Sequence, residues 1–250
     1  MKKKIVTWVI MPIVCLLSAA VFASCNIQLK DMDGTEYYDT TEKEFCKEYI
    51  DEFFEEMLKN PDFVVTCANK DGEQQYTETV KGTAAYTLGS DGSEAYAFKK
   101  GKFFYVATIS RNSNGEEQRV YYCSDSAKTG YYKGAEADAM ETMYKNNHCS
   151  FMNDTVGVGI VNGLSEEGAT FNCKKNVERV SGFATSSLDF TYTSADRTVT
   201  ITASAEEGQV KTLRIVITDA TEGGHSSDLT WTFTYGGASV TIPDVDAWDE

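Results

Sequence analysis

The pattern of apolar and polar residues changes twice along the chain. An uncharged apolar run covers residues 5–23, directly after three lysines. From residue 41 to residue 59, apolar residues recur at steps of three and four, which is the period of a helix with one buried face. From residue 62 onward the period is mostly two, as in strands that bury one face and expose the other. The pattern therefore predicts an apolar leader, a helix and a large antiparallel sheet.

The predicted helix is amphipathic and has recognisable ends. Thr41 and Glu44 have the spacing of a capping box, and Asn60 with Pro61 stops the helix. The acidic residues of this segment fall largely opposite the apolar ones, which favours a solvated face over a pair of catalytic carboxylates. The apolar face consists of Cys46, Tyr49, Ile50, Phe53, Phe54 and Met57.

Strand patterns separated by glycine-containing turns fill most of the remaining chain. The first group comprises residues 62–68, 76–88, 94–98, 103–110 and 119–123. A short amphipathic helix at about residues 135–145 follows, and residues 149–170 are rich in glycine and ambiguous. The second group comprises residues 187–193, 198–204, 210–218 and 228–235. Consecutive hairpins of this kind predict an α+β fold, with an antiparallel sheet packed against the first helix and the short second helix.

The apolar leader has the layout of a secretory signal, with a basic start, an apolar core and small residues at the end. The sequence Ala23-Ser24-Cys25 resembles the signal of bacterial lipoproteins, in which a small residue precedes a cysteine that is lipidated and becomes the mature N-terminus. This resemblance implies that residues 1–24 are a signal peptide and that Cys25 carries acyl chains such as palmitate. The alternative is an uncleaved anchor, because nineteen helical residues can also span a bilayer.

Both interpretations of the leader place the rest of the chain outside the cytoplasm, since the lysines stay on the cytoplasmic side. The expected location is the extracytoplasmic face of the cell membrane, with the protein held there by its lipid. Residues 26–40 are polar and have no apolar period, so we interpret residues 25–40 as the lipid anchor and tether. Residues 41–250 are then a single domain of antiparallel sheet and helices.

The net charge argues against a nucleic-acid partner. Residues 1–24 hold three of the 23 basic residues and none of the 38 acidic ones, so the rest of the chain has 20 basic residues and a formal charge of −18. Such a surface repels phosphate groups over distances up to a Debye length. The charge is better explained as a means of keeping a tethered domain soluble.

Five cysteines remain once Cys15 and Cys25 in the leader and anchor are set aside. Disulfides form outside the cytoplasm, but five thiols cannot all pair within one chain. Cys46 and Cys123 lie in strong helix and strand patterns, which favours small buried thiols. A bridge between Cys149 and Cys173 is the first pairing to test because both lie near turn-rich sequence. The pattern among the five stays open: Cys46, Cys67, Cys123, Cys149 and Cys173.

The order of helix, meander, short helix and meander resembles the half-barrel lipoproteins of the LolA/LolB and LppX type. The resemblance covers roughly residues 41–243 and lies in the order of elements. In those proteins a strongly curved antiparallel sheet wraps around helices, and an apolar concavity holds acyl chains. The resemblance implies a pocket here between the aromatic inner face of the sheet and the first helix. Candidate ligand-binding residues are Tyr49, Phe53, Met57, Trp231 and Phe233.

Two functions follow as hypotheses. The first is a membrane-anchored lipoprotein that binds or carries a lipid or another apolar ligand in a cavity between sheet and helix. The alternative is a surface or envelope interaction module, adhesin-like, that contacts a partner protein and holds no small ligand. An internal cavity favours the first, and a continuous closed core favours the second.

An enzyme is not predicted, and neither is a metal or cofactor. The chain has two histidines, His148 and His225, far apart in sequence and outside any metal-binding spacing. It has no G-x-S-x-G, and Lys128-Thr129-Gly130 stands without the S-x-x-K that would supply a nucleophile. We therefore assign no catalytic residue.

Overall fold

The computed structural model describes residues 34–131, 135–152, 158–221, 224 and 226–248. The predicted signal and Cys25 lie outside these residues. Within them, twelve strands form one sheet in which every neighbouring pair is antiparallel. The α+β class and the antiparallel sheet are thus confirmed. None of the helices in the described part of the chain is long and apolar enough to cross a membrane.

Two α-helices and three short 3-10 helices accompany the strands. The α-helices are α1 (Lys43–Lys59) and α2 (Ala135–Asn147), and the 3-10 helices are Ser150–Met152, Val158–Gly163 and Val245–Trp248. The strands are β1 (Gly34–Thr40), β2 (Asp62–Asn69), β3 (Gln74–Lys81), β4 (Ala84–Gly89), β5 (Glu94–Lys100), β6 (Phe103–Arg111), β7 (Glu117–Cys123), β8 (Thr170–Val180), β9 (Phe183–Thr193), β10 (Arg197–Glu206), β11 (Gln209–Asp219) and β12 (Ser227–Tyr235).

The sheet consists of two meanders joined side by side. The spatial order is β1-β8-β9-β10-β11-β12-β2-β3-β4-β5-β6-β7. The pairing of β12 with β2 connects the C-terminal meander to the N-terminal one, and β1 adds to the free side of β8. The two edge strands of the described sheet are therefore β1 and β7.

The main hydrophobic core lies on one face of the sheet, which we call the inner face. The buried face of α1 belongs to the same cluster as inward side chains of β2, β3 and β9 to β12. Alternation along the strands produces this face: Leu213, Ile215 and Ile217 of β11 are buried while their neighbours are at least partly exposed. The buried positions predicted for the first helix are confirmed, with Tyr49 only partly buried.

A second, smaller core lies on the opposite face at β5 to β7. Ala97 and Val106 belong to the main core, whereas their neighbours Phe98 and Tyr105 point to the other face, stack at 5.0 Å and belong to the second cluster. Val245, in the C-terminal 3-10 helix, is buried in this second cluster. This end of the sheet is therefore covered on both faces.

The start of α1 differs from the prediction, and its end agrees. The helix begins at Lys43 after Glu42, and no side chain caps it, so the capping box at Thr41 and Glu44 is wrong. Instead, the Glu42 N–H donates to Thr40 Oγ1 at 3.2 Å, which turns the chain from β1 into the helix. The end at Lys59 before Asn60 agrees with the predicted stop.

Three strand assignments also differ from the sequence analysis. β1 occupies the last seven residues of the predicted tether, and its mostly exposed side chains explain the missing apolar period. β8 was not predicted because charged and amide side chains occupy six of its eleven positions: Asn172, Lys174, Lys175, Asn176, Glu178 and Arg179. The predicted strand 76–88 is divided into β3 and β4 by a turn at Gly82, whose φ of +56° is the conformation that glycine adopts most easily.

Candidate functional site

The five residues predicted to line a ligand pocket come together in the main core. Trp231 is 0 % exposed, and Phe53, Met57 and Phe233 are also buried. The Phe233 ring lies 5.7 Å from the ring of Phe63 and 5.1 Å from that of Phe151, both with edge-on geometry. Aromatic rings at these distances fill the space between the sheet and the segments packed on it. The predicted ligand face is therefore in contact with other side chains of the protein.

A cavity beside α1 lies next to this face and is small. Its volume is about 110 Å³, and none of the five predicted residues lines it. Sites for drug-sized ligands have volumes of about 300–1,000 Å³, so this cavity does not fit an acyl chain. The lining residues are Lys47, Ile50, Asp51, Met152, Val158, Gly159, Val161 and Asn162.

The inner face also contains a polar cluster around a fully buried carboxylate, Glu78 of β3. Glu78 accepts hydrogen bonds from the N–H groups of Cys149 (2.7 Å) and Ser150 (3.0 Å). Ser150 Oγ lies 2.7 Å from Glu78 Oε2 and 3.1 Å from Tyr76 OH. Trp231 Nε1–H donates to the same Tyr76 oxygen at 2.7 Å. The cluster thus connects β3, β12 and the start of the 3-10 helix Ser150–Met152.

Burial changes the acid–base behaviour of this carboxyl group. Desolvation raises the pKa of Glu78 from 4.5 to about 7, and the hydrogen bonds from Ser150 and Cys149 oppose that rise without cancelling it. The pKa of Tyr76 shifts in the same direction, because burial raises it well above its usual value. The Glu78 carboxyl therefore gains and loses its proton near neutral pH while the surrounding phenol stays protonated.

Cys149 and His148 adjoin this cluster and are the residues here whose types occur in nucleophilic catalysis. Cys149 Sγ lies 3.5 Å from His148 Nδ1, and His148 Nε2 lies 2.9 Å from the carbonyl oxygen of Gly82. A reactive cysteine needs a lowered pKa. Burial and the neighbouring Glu78 raise the pKa of the Cys149 thiol well above its usual value, and burial lowers the pKa of His148. This environment disfavours a thiolate–imidazolium pair.

The sequence analysis missed this cluster, although one signal was present. Glu78 stands two residues from Tyr76 and two from Val80, so it occupies an inward position of the period-two pattern. An acid at an inward position indicates a buried, hydrogen-bonded carboxyl group. Its partners come from residues more than 70 positions away in the chain, and periodicity contains no information about them.

The outer face of the sheet, opposite α1, carries a row of hydroxyl groups. The register aligns one serine or threonine from each of six neighbouring strands, and each of the six is at least partly exposed. At about 4.8 Å per strand the row is about 24 Å long. We call this set the hydroxyl row: Ser187, Ser204, Thr212, Thr232, Thr66 and Thr77.

Arg214, two residues from Thr212 on β11, is paired with an acidic residue. Arg214 donates two hydrogen bonds to the carboxylate of Asp228, from Nε at 3.0 Å and from Nη2 at 2.8 Å. Within the row, Ser204 Oγ and Thr212 Oγ1 lie 2.7 Å apart. The six side chains of the row are uncharged, on a strongly acidic protein.

Comparison with known proteins returned no relative. No family model, no curated protein and no solved structure matches this chain. In the part of the chain that the structure describes, no group of three or more His, Cys, Asp or Glu side chains is placed to bind a metal. The two faces of the sheet are therefore the candidate functional surfaces.

Proposed function

We propose that this chain is an exported, lipid-anchored interaction module that contacts a partner protein through the outer face of its sheet. One observation supports this function over that of a carrier. The inner face is filled by the core at the positions where a ligand pocket was expected, whereas the hydroxyl row on the outer face stays accessible. A closed core on one face and an accessible polar strip on the other suit a module that binds at its surface.

The position of the proposed anchor is compatible with this use of the outer face. Gly34, the first described residue, opens the edge strand β1 and stands nine residues after Cys25. A fully extended chain of that length spans about 30 Å. The lipid would thus hold the protein by one edge of the sheet. In this proposal the sheet is curved like a half-barrel around the helices, so its convex outer face points away from them.

The chemistry of the hydroxyl row favours a neutral, polar protein surface as the partner. Serine and threonine hydroxyls both donate and accept hydrogen bonds, so they pair with exposed peptide groups and amide side chains. A standard interface buries about 800 Å² on each partner. A strip about 24 Å long with its flanking residues provides one side of such a patch. The formal charge of the mature chain, −18, disfavours acidic partners.

Intact mass measurement of protein extracted from the membranes of its host tests the anchor and the cargo together. Under denaturing conditions we expect a chain that begins at Cys25 and carries a diacylglyceryl group. Under native conditions we expect the same mass with nothing added. A further mass of lipid size that disappears on denaturation would contradict the interaction module and support the carrier, which otherwise stays a prediction.

Site-specific photo-crosslinking in the host tests the proposed contact surface. A benzophenone amino acid replaces Thr232, an exposed residue of the hydroxyl row. The matched control carries the same group at Glu48, an exposed position on α1. We expect one discrete protein adduct from position 232 and none from position 48. Equal adducts from both positions, or none from position 232, would contradict the proposal.

A further inference from the structure

Two of the five cysteines meet inside the protein. Cys46 lies on the buried face of α1 and Cys173 lies on the inner face of β8, and both are 0 % exposed. Both are free thiols in this structure. Burial and the neighbouring Cys46 thiol raise the pKa of Cys173, so the two side chains lie close together. A disulfide forms only between cysteines whose Cα atoms are about 4.4–6.8 Å apart, so neighbouring cysteines are the candidates for one.

The backbone independently places these two thiols together. Cys173 stands directly opposite Thr40 in the ladder between β1 and β8. The Cys46 sulfur lies 3.8 Å from the carbonyl oxygen of Thr40, because the first turn of α1 folds back over the end of β1. The residue that Cys46 reaches is therefore the residue paired with Cys173.

The remaining cysteines have other neighbours. Cys67 interacts with Tyr76, the Cys123 sulfur lies 3.6 Å from the carbonyl oxygen of Asp125, and Cys149 faces His148. This arrangement explains the odd number of thiols as one pair and three buried side chains. It also differs from the bridge between Cys149 and Cys173, which was the first pairing to test from the sequence, because the described contacts of these two residues are with different partners.

We propose that Cys46 and Cys173 form a disulfide bond in the exported protein, an inference that rests on the proposed export. One cysteine thiolate attacks a disulfide-type oxidant, which forms a mixed disulfide and releases the oxidant's first thiol. The second cysteine thiolate then attacks the mixed disulfide and releases the oxidant's other thiol. The S–S bond forms as two thiols lose two electrons and two protons, and the oxidant leaves as two thiols. Burial raises the pKa of Cys46 to about 11 and that of Cys173 to about 12 in the reduced folded chain. The reaction therefore takes place during folding, before α1 covers β8.

The bond would hold the anchored end of the domain in place. β1 is an edge strand, and among the described strands it pairs only with β8. Any pull from the lipid anchor reaches the domain through β1 and can separate it from β8 by breaking the ladder one hydrogen bond at a time. A covalent link just after β1 stops that separation at α1 and keeps the helix on the core.

Peptide mapping of the membrane-extracted protein, alkylated in denaturant before any reduction, tests the bond. Trypsin alone leaves Cys149 and Cys173 in one peptide, residues 146–174, so a second digestion after glutamate is needed. The expected product joins residues 45–47 to residues 168–174, two hydrogen atoms lighter than the two peptides together. Alkylated Cys46 and Cys173 in chains whose Cys25 carries lipid would overturn the proposal while leaving the proposed anchor intact.

A refolding experiment in vitro tests the same bond independently of whether the protein is exported. The protein is reduced and unfolded in urea, then refolded with oxidised and reduced glutathione, and the peptides are mapped again. We expect the pair of Cys46 and Cys173, and its loss in Cys46→Ser. The control variant Cys67→Ser, also at a fully buried thiol, keeps the bond. A different pairing in the wild-type protein, or no disulfide at all after refolding, would overturn the proposal.

Discussion

The two meanders of the sheet bury their side chains in different ways. Strands β8 to β12 are 9 to 11 residues long, and most of them alternate buried and exposed positions, as β10 does with Val199, Ile201, Ala203 and Ala205. Strands β2 to β7 are 6 to 9 residues long. In β6, three successive residues are buried: Tyr105, Val106 and Ala107. The C-terminal meander thus has one covered face, and part of the N-terminal meander has two.

The difference indicates where this protein can interact with a partner. Around β6, α2 covers one face, where Phe104 and Tyr144 have ring centres 5.2 Å apart, and the segment around Val245 covers the other. Among the residues that the structure describes, no such second cover lies over the hydroxyl groups of the C-terminal meander, so its outer face is accessible there. Substitutions on the covered and on the accessible faces test this contrast.

The largest effect is expected at the centre of the inner face. Trp231→Ala removes a fully buried side chain and leaves Tyr76 without the hydrogen bond from the indole N–H. The cavity and the unpaired hydroxyl should lower the free energy of unfolding by about 3–5 kcal/mol. Urea unfolding followed by circular dichroism measures this change.

The matched control for Trp231→Ala is Thr232→Ala, the next residue on the same strand. Its side chain is exposed on the outer face, so the free energy of unfolding should change by less than about 0.5 kcal/mol. Similar losses from both substitutions would mean that the outer face is covered after all. That result would remove the contrast between the two faces.

The second prediction concerns pH and the buried carboxyl group of the N-terminal meander. The folded pKa of Glu78, about 7, lies above the ordinary 4.5, so the folded state favours the protonated form. This contribution to stability is complete below about pH 4.5 and is lost as the pH rises through about 7. The difference between the folded and the ordinary pKa of Glu78 corresponds to about 3 kcal/mol in the free energy of unfolding. Glu78→Gln, which cannot ionise, should lack this loss.

Urea unfolding of wild type and Glu78→Gln at several pH values measures that contribution. Burial lowers the pKa of His148, so its contribution to stability rises with pH, opposite to that of Glu78. Both proteins contain His148, so its effect cancels when the two profiles are subtracted. Glu73→Gln, at an exposed carboxylate, serves as the control and should follow the wild-type profile. Parallel profiles for wild type and Glu78→Gln would show that Glu78 keeps its ordinary pKa when folded.

Sequence reasoning succeeded where burial is one-sided and local. Apolar steps of three and four predict the buried face of α1, and Pro61 marks its end. A period of two predicts four strands of the C-terminal meander. It failed where pairing depends on the backbone alone, as in β1, whose exposed side chains have no period. It also failed where charged groups occupy inward positions, as with Lys175 of β8, which Glu52 neutralises at 2.5 Å.

The candidate site was less predictable than the fold for a related reason. Phe53 and Met57 are buried in the main core and Tyr49 packs against it, but a sequence pattern cannot distinguish a packed interface from one with a cavity. The hydroxyl row depends on strand register across six strands. Register arises from long-range pairing, so alternation within one strand identifies the outer threonines without aligning them with one another.

The third prediction tests the cover on the second face of the N-terminal meander. Val245→Ala removes two methyl groups from a buried position in the second cluster and should lower the free energy of unfolding by about 1–2 kcal/mol. Ile242→Ala, in the same segment but 47 % exposed, should have an effect below about 0.5 kcal/mol. Hydrogen exchange should become faster in β5 to β7 only for Val245→Ala. Unchanged exchange there would mean that the C-terminal segment does not protect this face.

The smallest effect on stability, and the most specific effect on function, is expected in the hydroxyl row. Thr212→Val keeps the side-chain shape and removes one exposed hydroxyl, so the free energy of unfolding should change by less than about 0.5 kcal/mol. Because Thr212 stands directly opposite Thr232, the crosslinked adduct from position 232 should weaken strongly.

The comparison variant for Thr212→Val is Thr218→Val, an exposed residue on the same strand and the same face that lies outside the row. It makes the same chemical change and should leave the adduct intact. If both variants reduce the adduct equally, the partner contacts a broader surface than the row. If neither does, the accessible face of the C-terminal meander is a solvated surface and the partner binds elsewhere, with the edge strand β7 as the next position for the crosslinker.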